Sequence, residues 1–131
     1  MIIIDTHILI WDAFEPQKLS KAALSTLNIA EKNRTLAICD ISLWEIALLL
    51  NRKRIETPLT HTECLATLLQ VRPYQILPIN PDIAVTAVNL PANINKDPAD
   101  RMIVATAMFH KAQLITADEN LQKHGGVDTI W

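Results

Sequence analysis

Apolar residues in this chain fall into short unbroken runs separated by longer stretches of helical spacing. Met1-Ile-Ile-Ile ends on Asp5, and a fully apolar, β-branched run with no polar face predicts a buried parallel strand. Leu36–Cys39, Gln75–Ile79 and Gln113–Thr116 have the same character, and Val127–Trp131 adds a last short strand. A first helix region follows Asp5, and further segments of helical length cover Lys18–Lys32, Leu43–Arg54, Thr60–Arg72, Asp82–Leu90 and Pro98–Ala112. Strands alternating with helices predict an α/β fold, a parallel sheet covered on both faces. The only glycines are the adjacent pair Gly125-Gly126, so no flexible linker divides the chain. Residues 1–131 are expected to form one domain.

Composition narrows the function classes. Half of the 131 residues are hydrophobic and a fifth are charged, enough apolar material for one core and too much for a disordered chain. With 12 Lys and Arg against 14 Asp and Glu, the net charge of −2 excludes nucleic-acid binding by bulk positive charge. No apolar run approaches the ~20 residues of a membrane span, and no secretory signal pattern is visible. Cys39 and Cys64 lack the spacing of a metal site and cannot build a disulfide framework. The expected setting is the cytoplasm, without membrane association.

The acids carry the chemical information. Asp5 closes the first strand, and Glu45 is the only charge between Asp40 and Asn51. Asp97 and Asp100 bracket Pro98-Ala99 at the start of a long helix, and Asp118 follows the strand that ends at Thr116. In an open parallel sheet such positions share the carboxyl edge, where ligands bind. Each acid also has a plain structural reading. Ser42-Leu-Trp-Glu45 and Thr116-Ala-Asp-Glu119 match capping boxes, and Asp97-Pro98 matches an N-cap followed by proline. Taken together the acids would repel one another with no matching Lys or Arg nearby. A hard divalent cation with oxygen ligands resolves that repulsion.

At these residues the chain resembles the PIN-domain family, and within it the VapC-type toxin ribonucleases of type II toxin–antitoxin systems. The resemblance rests on Asp5-Thr-His-Ile-Leu-Ile-Trp11, Ile41-Ser-Leu-Trp-Glu-Ile-Ala47, Asp97-Pro-Ala-Asp-Arg-Met-Ile-Val-Ala-Thr-Ala107 and Leu114-Ile-Thr-Ala-Asp118. These blocks occur in the family's order and cover nearly the whole chain. The resemblance implies a three-layer α/β/α sandwich and an acidic pocket that cleaves RNA with Mg²⁺ or Mn²⁺, leaving a 5′-phosphate. It also implies a cognate antitoxin partner and a homodimer. Carried over by position, the acids are Asp5, Glu45, Asp100 and Asp118, with Thr6 and Thr116 as hydroxyl contributors. Asp5 and Asp100 are expected to hold the principal ion, and Glu45 and Asp118 to bind through water or complete a second site. Asp97 is read chiefly as a cap. The chain departs from the common family pattern at Asn93-Ile-Asn95, where relatives often carry His, and at Arg52-Lys-Arg54, which lacks a glycine.

The remaining candidates divide less clearly. Arg101 could contact phosphate or pair with an acid, and both readings stay open. Arg52, Lys53 and Arg54 are read as favouring a helix C-terminus, and Trp11, Phe14 and Trp44 as core. His7 lies near the pocket, but no histidine pair has zinc spacing. A phosphatase with a nucleophilic aspartate would want a second acid where His7 stands, and a receiver-like module would want paired early acids and a late lysine. A non-catalytic PIN scaffold that binds protein or RNA is the remaining alternative, and the loss of one acid would favour it. All four are present.

Overall fold

The computed structural model describes residues 1–131 in full. Five strands, β1 (Ile2–Ile4), β2 (Leu36–Cys39), β3 (Gln75–Leu77), β4 (Gln113–Ile115) and β5 (Thr129–Ile130), form one sheet in the order β3-β2-β1-β4-β5. All four pairings are parallel; Ile3 of β1 lies between Ala37 of β2 and Leu114 of β4. Seven helices surround it: α1 (Thr6–Phe14), α2 (Lys21–Lys32), α3 (Ile41–Asn51), α4 (His61–Gln70), α5 (Pro81–Asn89), α6 (Pro98–His110) and α7 (Glu119–His124).

The pleat explains the apolar runs. Ile4, Leu36, Ile38 and Ile115 point to one face and pack with Leu9, Leu27, Ile46 and Leu68 of α1 to α4. Ile3, Ala37, Cys39 and Leu114 point to the other and pack with Ile103, Val104 and Leu121 of α6 and α7. The inner strands β1, β2 and β4 are apolar on both sides because each side meets helices, while the edge strand β3 leaves Gln75 and Ile76 exposed. The expected three-layer sandwich is what the chain forms.

The boundaries show which local interactions decide. The expected helix from Lys18 is a short 3₁₀ turn (Pro16–Lys18) followed by α2, because the Ser20 side chain accepts a bond from the Ala23 amide and starts a new helix. Helix α3 stops at Asn51, where Lys53 adopts a φ of 56°. Helix α4 carries a complete capping box: Thr60 accepts from the Glu63 amide, and Glu63 accepts from the Thr60 amide. Neither box expected from the sequence forms. Ser42 lies inside α3 and bonds the Thr6 hydroxyl at 2.9 Å, while Asp118 and not Thr116 caps α7. Helix α7 itself, six residues long, had no strong periodic signal.

A polar clamp ties three helices of one layer together on the side away from the acids. The Arg72 guanidinium bonds both oxygens of Asp12, at 2.6 and 2.9 Å, and reaches Glu31 at 2.6 Å. The Tyr74 hydroxyl donates to Asp12 at 3.0 Å. The Asp12 side chain is 3 % exposed, so this pair fastens α1 to the end of α4 from inside the protein.

Candidate active site

Strand order reverses direction between β1 and β4, and the acids gather at the carboxyl ends of those two strands. Asp5 leaves β1 as the N-cap of α1, accepting from the His7 amide through one oxygen and from the Thr116 hydroxyl, at 2.7 Å, through the other. Thr116, fully buried after β4, also accepts from the Asp118 amide, so one hydroxyl aligns two of the acids. Asp118 caps α7 through the Leu121 amide. Asp97 caps α6 by accepting from the Ala99 and Asp100 amides. Three of the acids therefore begin helices, whose N-terminal partial positive charge faces the cluster.

Capping and membership of the site are compatible. Asp97 caps α6 through one oxygen, and it also joins Glu45 and Asp100 in a group whose ligand oxygens all lie within 4.8 Å of one another. The sequence favours the cap for Asp97 but leaves a supporting place in the site open to it, and the structure brings both together. Glu45 projects from the interior of α3, is 9 % exposed, and its Oε1 is buried without a hydrogen-bond partner. Burial pushes its carboxyl above the ordinary range, and Asp5 and Asp97 add to the rise. Asp5, 4 % exposed, is raised mainly by burial, against the Thr116 bond that lowers it. Asp100 is pushed up to about 7, by burial first and then by the charges of Asp5, Asp97 and Glu45.

None of the three ion pairs of the chain involves these acids; they join Lys18 to Glu15, and Arg72 to Asp12 and Glu31. Arg101 makes no ion pair with any acid. Its guanidinium turns to the backbone carbonyls of Ala87, Leu90 and the following loop, and so supplies no charge to the cluster. An orphaned buried carboxylate oxygen within a group of all-oxygen donors is the arrangement a hard divalent cation relieves. The residues present fit such an ion.

The PIN domain family model matches residues 2–127 of the chain. The chain belongs to the PIN domain family. This PIN domain is 37 % identical over 123 residues to Ribonuclease VapC22 of Mycobacterium tuberculosis, covering 94 % of this chain and 91 % of that protein. Its fold matches VapBC2 from Rickettsia felis, solved with a promoter DNA fragment, at a TM-score of 0.73 and 17 % identity, over 98 % of this chain and 97 % of that one. A toxin–antitoxin complex from Klebsiella pneumoniae matches at a TM-score of 0.61 and 25 % identity, over 97 % and 95 % of the two chains.

The structure of this PIN domain adds Asn95, which the sequence reading noted only as a departure from pattern. Its amide nitrogen lies 3.0 Å from Asp100 Oδ2 and 2.9 Å from Asp118 Oδ2. No local signal marks an asparagine in a loop for that task. Trp44 is also corrected: it is 55 % exposed, on α3 beside Glu45, and not in the core. Phe14 is exposed as well, and with His7 and Trp11 it lines a cavity of about 910 Å³ between α1 and the turn after α3. Lys53 and Arg54 border the same cavity.

Proposed function

We propose that this PIN domain is the ribonuclease of a toxin–antitoxin pair, hydrolysing RNA phosphodiester bonds with Mg²⁺ or Mn²⁺ held by Asp5, Glu45, Asp100 and Asp118. The observation that carries the reading is the buried, unpartnered Glu45 Oε1 within the group of Glu45, Asp97 and Asp100. The identity to Ribonuclease VapC22 supports the RNA substrate. Hard carboxylate oxygens favour Mg²⁺ or Mn²⁺ over softer metals. When bound, such an ion acidifies water and polarises a phosphoryl oxygen.

The chain's own residues supply positioning and proton handling. Thr116 holds Asp5 Oδ2, leaving the Asp5 carboxylate little freedom to turn away. Asp97, which caps α6 through one oxygen, stands with Glu45 and Asp100 in the acid group. Glu45 is suited to accept a proton from the attacking water, because burial raises its pKa above the ordinary carboxylate range, the direction a general base requires. The Thr6 hydroxyl acts on Glu45 directly, opposing the rise of its carboxyl, and also bonds Ser42, one turn earlier on the same helix.

The partner reading is narrower than the apolar sequence Ile8-Leu-Ile-Trp11 implies. Ile8, Leu9 and Ile10 are buried in the core, which leaves His7, Trp11 and Phe14 facing the α1 cavity. That surface suits an apolar segment of an antitoxin, and the Klebsiella toxin–antitoxin complex supports a partner of this kind. Val85 and Val88, exposed three residues apart on α5, offer a face for a homodimer. No helix is long and apolar enough to cross a membrane. A cytoplasmic location completes the proposal.

Purified protein with RNA and Mn²⁺ tests the activity, with Asp100→Asn as the control for contaminating nucleases. Cleavage should stop in excess chelator and in the variant. Undiminished cleavage in chelator would overturn the metal-dependent reading.

A further inference from the structure

We propose that Asn95, fastened by Arg101, is the positioning residue that sets Asp100 and Asp118 for cation binding; this rests on the metal-dependent reading above. Asp100 comes from the first turn of α6 and Asp118 from the N-cap of α7, so nothing in their own elements fixes them relative to each other. Asn95, in the loop between α5 and α6, does so through one amide nitrogen with two hydrogens, one for each carboxylate. The amide presents its nitrogen to both acids, and each ionised carboxylate accepts one of its hydrogens. Each carboxylate oxygen keeps a second lone pair while it accepts from Asn95.

The loop that presents Asn95 is held at both ends. The Asn95 amide nitrogen of the backbone donates to Asn120 Oδ1 at 2.9 Å, and Asn120 Nδ2 donates to the Asn93 carbonyl at 2.9 Å, tying the loop to α7. From the other side Arg101 donates to the carbonyls of Leu90 at 2.6 Å and Ala87 at 3.0 Å. One further nitrogen reaches Pro91, Ile94 and Asn95, each at 3.4 Å. Ile94, 1 % exposed, anchors the loop in the core. Arg101 directly follows Asp100 in the chain, so the residue that supplies a ligand and the one that organises its orienting amide are adjacent. This is why an arginine beside the acids carries no ion pair with them: its donors are spent on the loop. Partners that orient metal-binding carboxylates in this way are worth about 10- to 100-fold in metal affinity.

Calorimetric titration of the full chain with Mn²⁺ alone tests the assignment. Asn95→Ala should weaken Mn²⁺ binding by about 10- to 100-fold. Asn95→Ser, which keeps one donor for one of the two acids, should fall between Asn95→Ala and the parent. Arg101→Lys, which cannot reach several carbonyls at once, should weaken Mn²⁺ binding without altering any acid. Thermal unfolding in chelator accompanies each titration, since a residue that only braces the loop would lower the melting temperature and leave the Mn²⁺ Kd unchanged. If Asn95→Ala fails to fold, the Asn95→Ser affinity decides. Mn²⁺ affinity in the Asn95 variants equal to or tighter than the parent's overturns the positioning role while the metal reading stands. A parent protein that binds no Mn²⁺ overturns both.

Discussion

Replacing Asp100 by Asn should stabilise the metal-free protein at neutral and alkaline pH, and the size of the gain follows from the site. The Asp100 carboxyl is pushed up to about 7 from an ordinary 3.8, chiefly by burial. A carboxyl with a raised folded-state pKa binds its proton in the folded chain at pH values where the unfolded chain has lost it. Stability therefore falls as pH rises through the window from about 4 to 7, and the penalty is complete above it. Three units would amount to roughly 4 kcal/mol, and partial exposure of Asp100 to solvent reduces this to roughly 1–3 kcal/mol. The amide oxygen of an asparagine at position 100 can still accept the Asn95 bond, so little else is lost. Urea unfolding in chelator at pH 5 and pH 8 measures the effect. The advantage of Asp100→Asn over the parent should grow by roughly 1–2 kcal/mol between the two. Saturating Mn²⁺ should reverse the ranking, because only the parent gains from the ion. A variant less stable than the parent at pH 8 in chelator, or a difference that does not change with pH, would refute the reasoning.

Three further outcomes are expected. Glu45→Gln should fold and bind RNA but lose cleavage by orders of magnitude in a gel assay, since the amide cannot take the proton; cleavage at the parent rate would remove Glu45 from the catalytic set. Thr116→Val, which deletes the donor to Asp5 and the acceptor for the Asp118 amide, should cost about 1–3 kcal/mol in urea unfolding and slow cleavage at saturating RNA. Arg72→Ala, far from the acids, should cost about 3–5 kcal/mol by leaving Asp12 buried without its partner, with cleavage per folded molecule unchanged.

The sheet was legible because its inner strands β1 and β2 are apolar on both faces, a pattern few other arrangements require, and the strand ends then led to the acids. What the local pattern could not decide was which of two partners a polar side chain takes. Ser42 and Glu45 have the spacing of a capping box, yet Asp40 occupies the cap position, and Ser42 turns to Thr6, 36 residues away in the chain. Thr116 has the spacing of a cap for Glu119, yet its hydroxyl bonds Asp5 across the sheet. Asn95 and Arg101 were the hardest to read. Their partners are two acids on different helices and a row of backbone carbonyls, and neither is visible as a spacing. Trp44 was misplaced for a related reason: large apolar residues are usually buried, and only the packing of α3 shows which side of the helix stays outside.

The bond between Thr116 and Asp5 joins residues 111 positions apart, and β4 pairs directly with β1. During synthesis Asp5 is made 111 residues before the threonine that completes its surroundings. At about 5–20 residues per second, that separation takes roughly 6 to 22 s to make. For most of that time Asp5 has neither its hydroxyl donor nor Asp118 beside it, and β1 lacks one neighbour. A nascent chain that has not yet released Thr116 and Asp118 therefore cannot assemble the acidic centre. The acidic centre is thus a late product of synthesis, complete only once β4 can pair with β1.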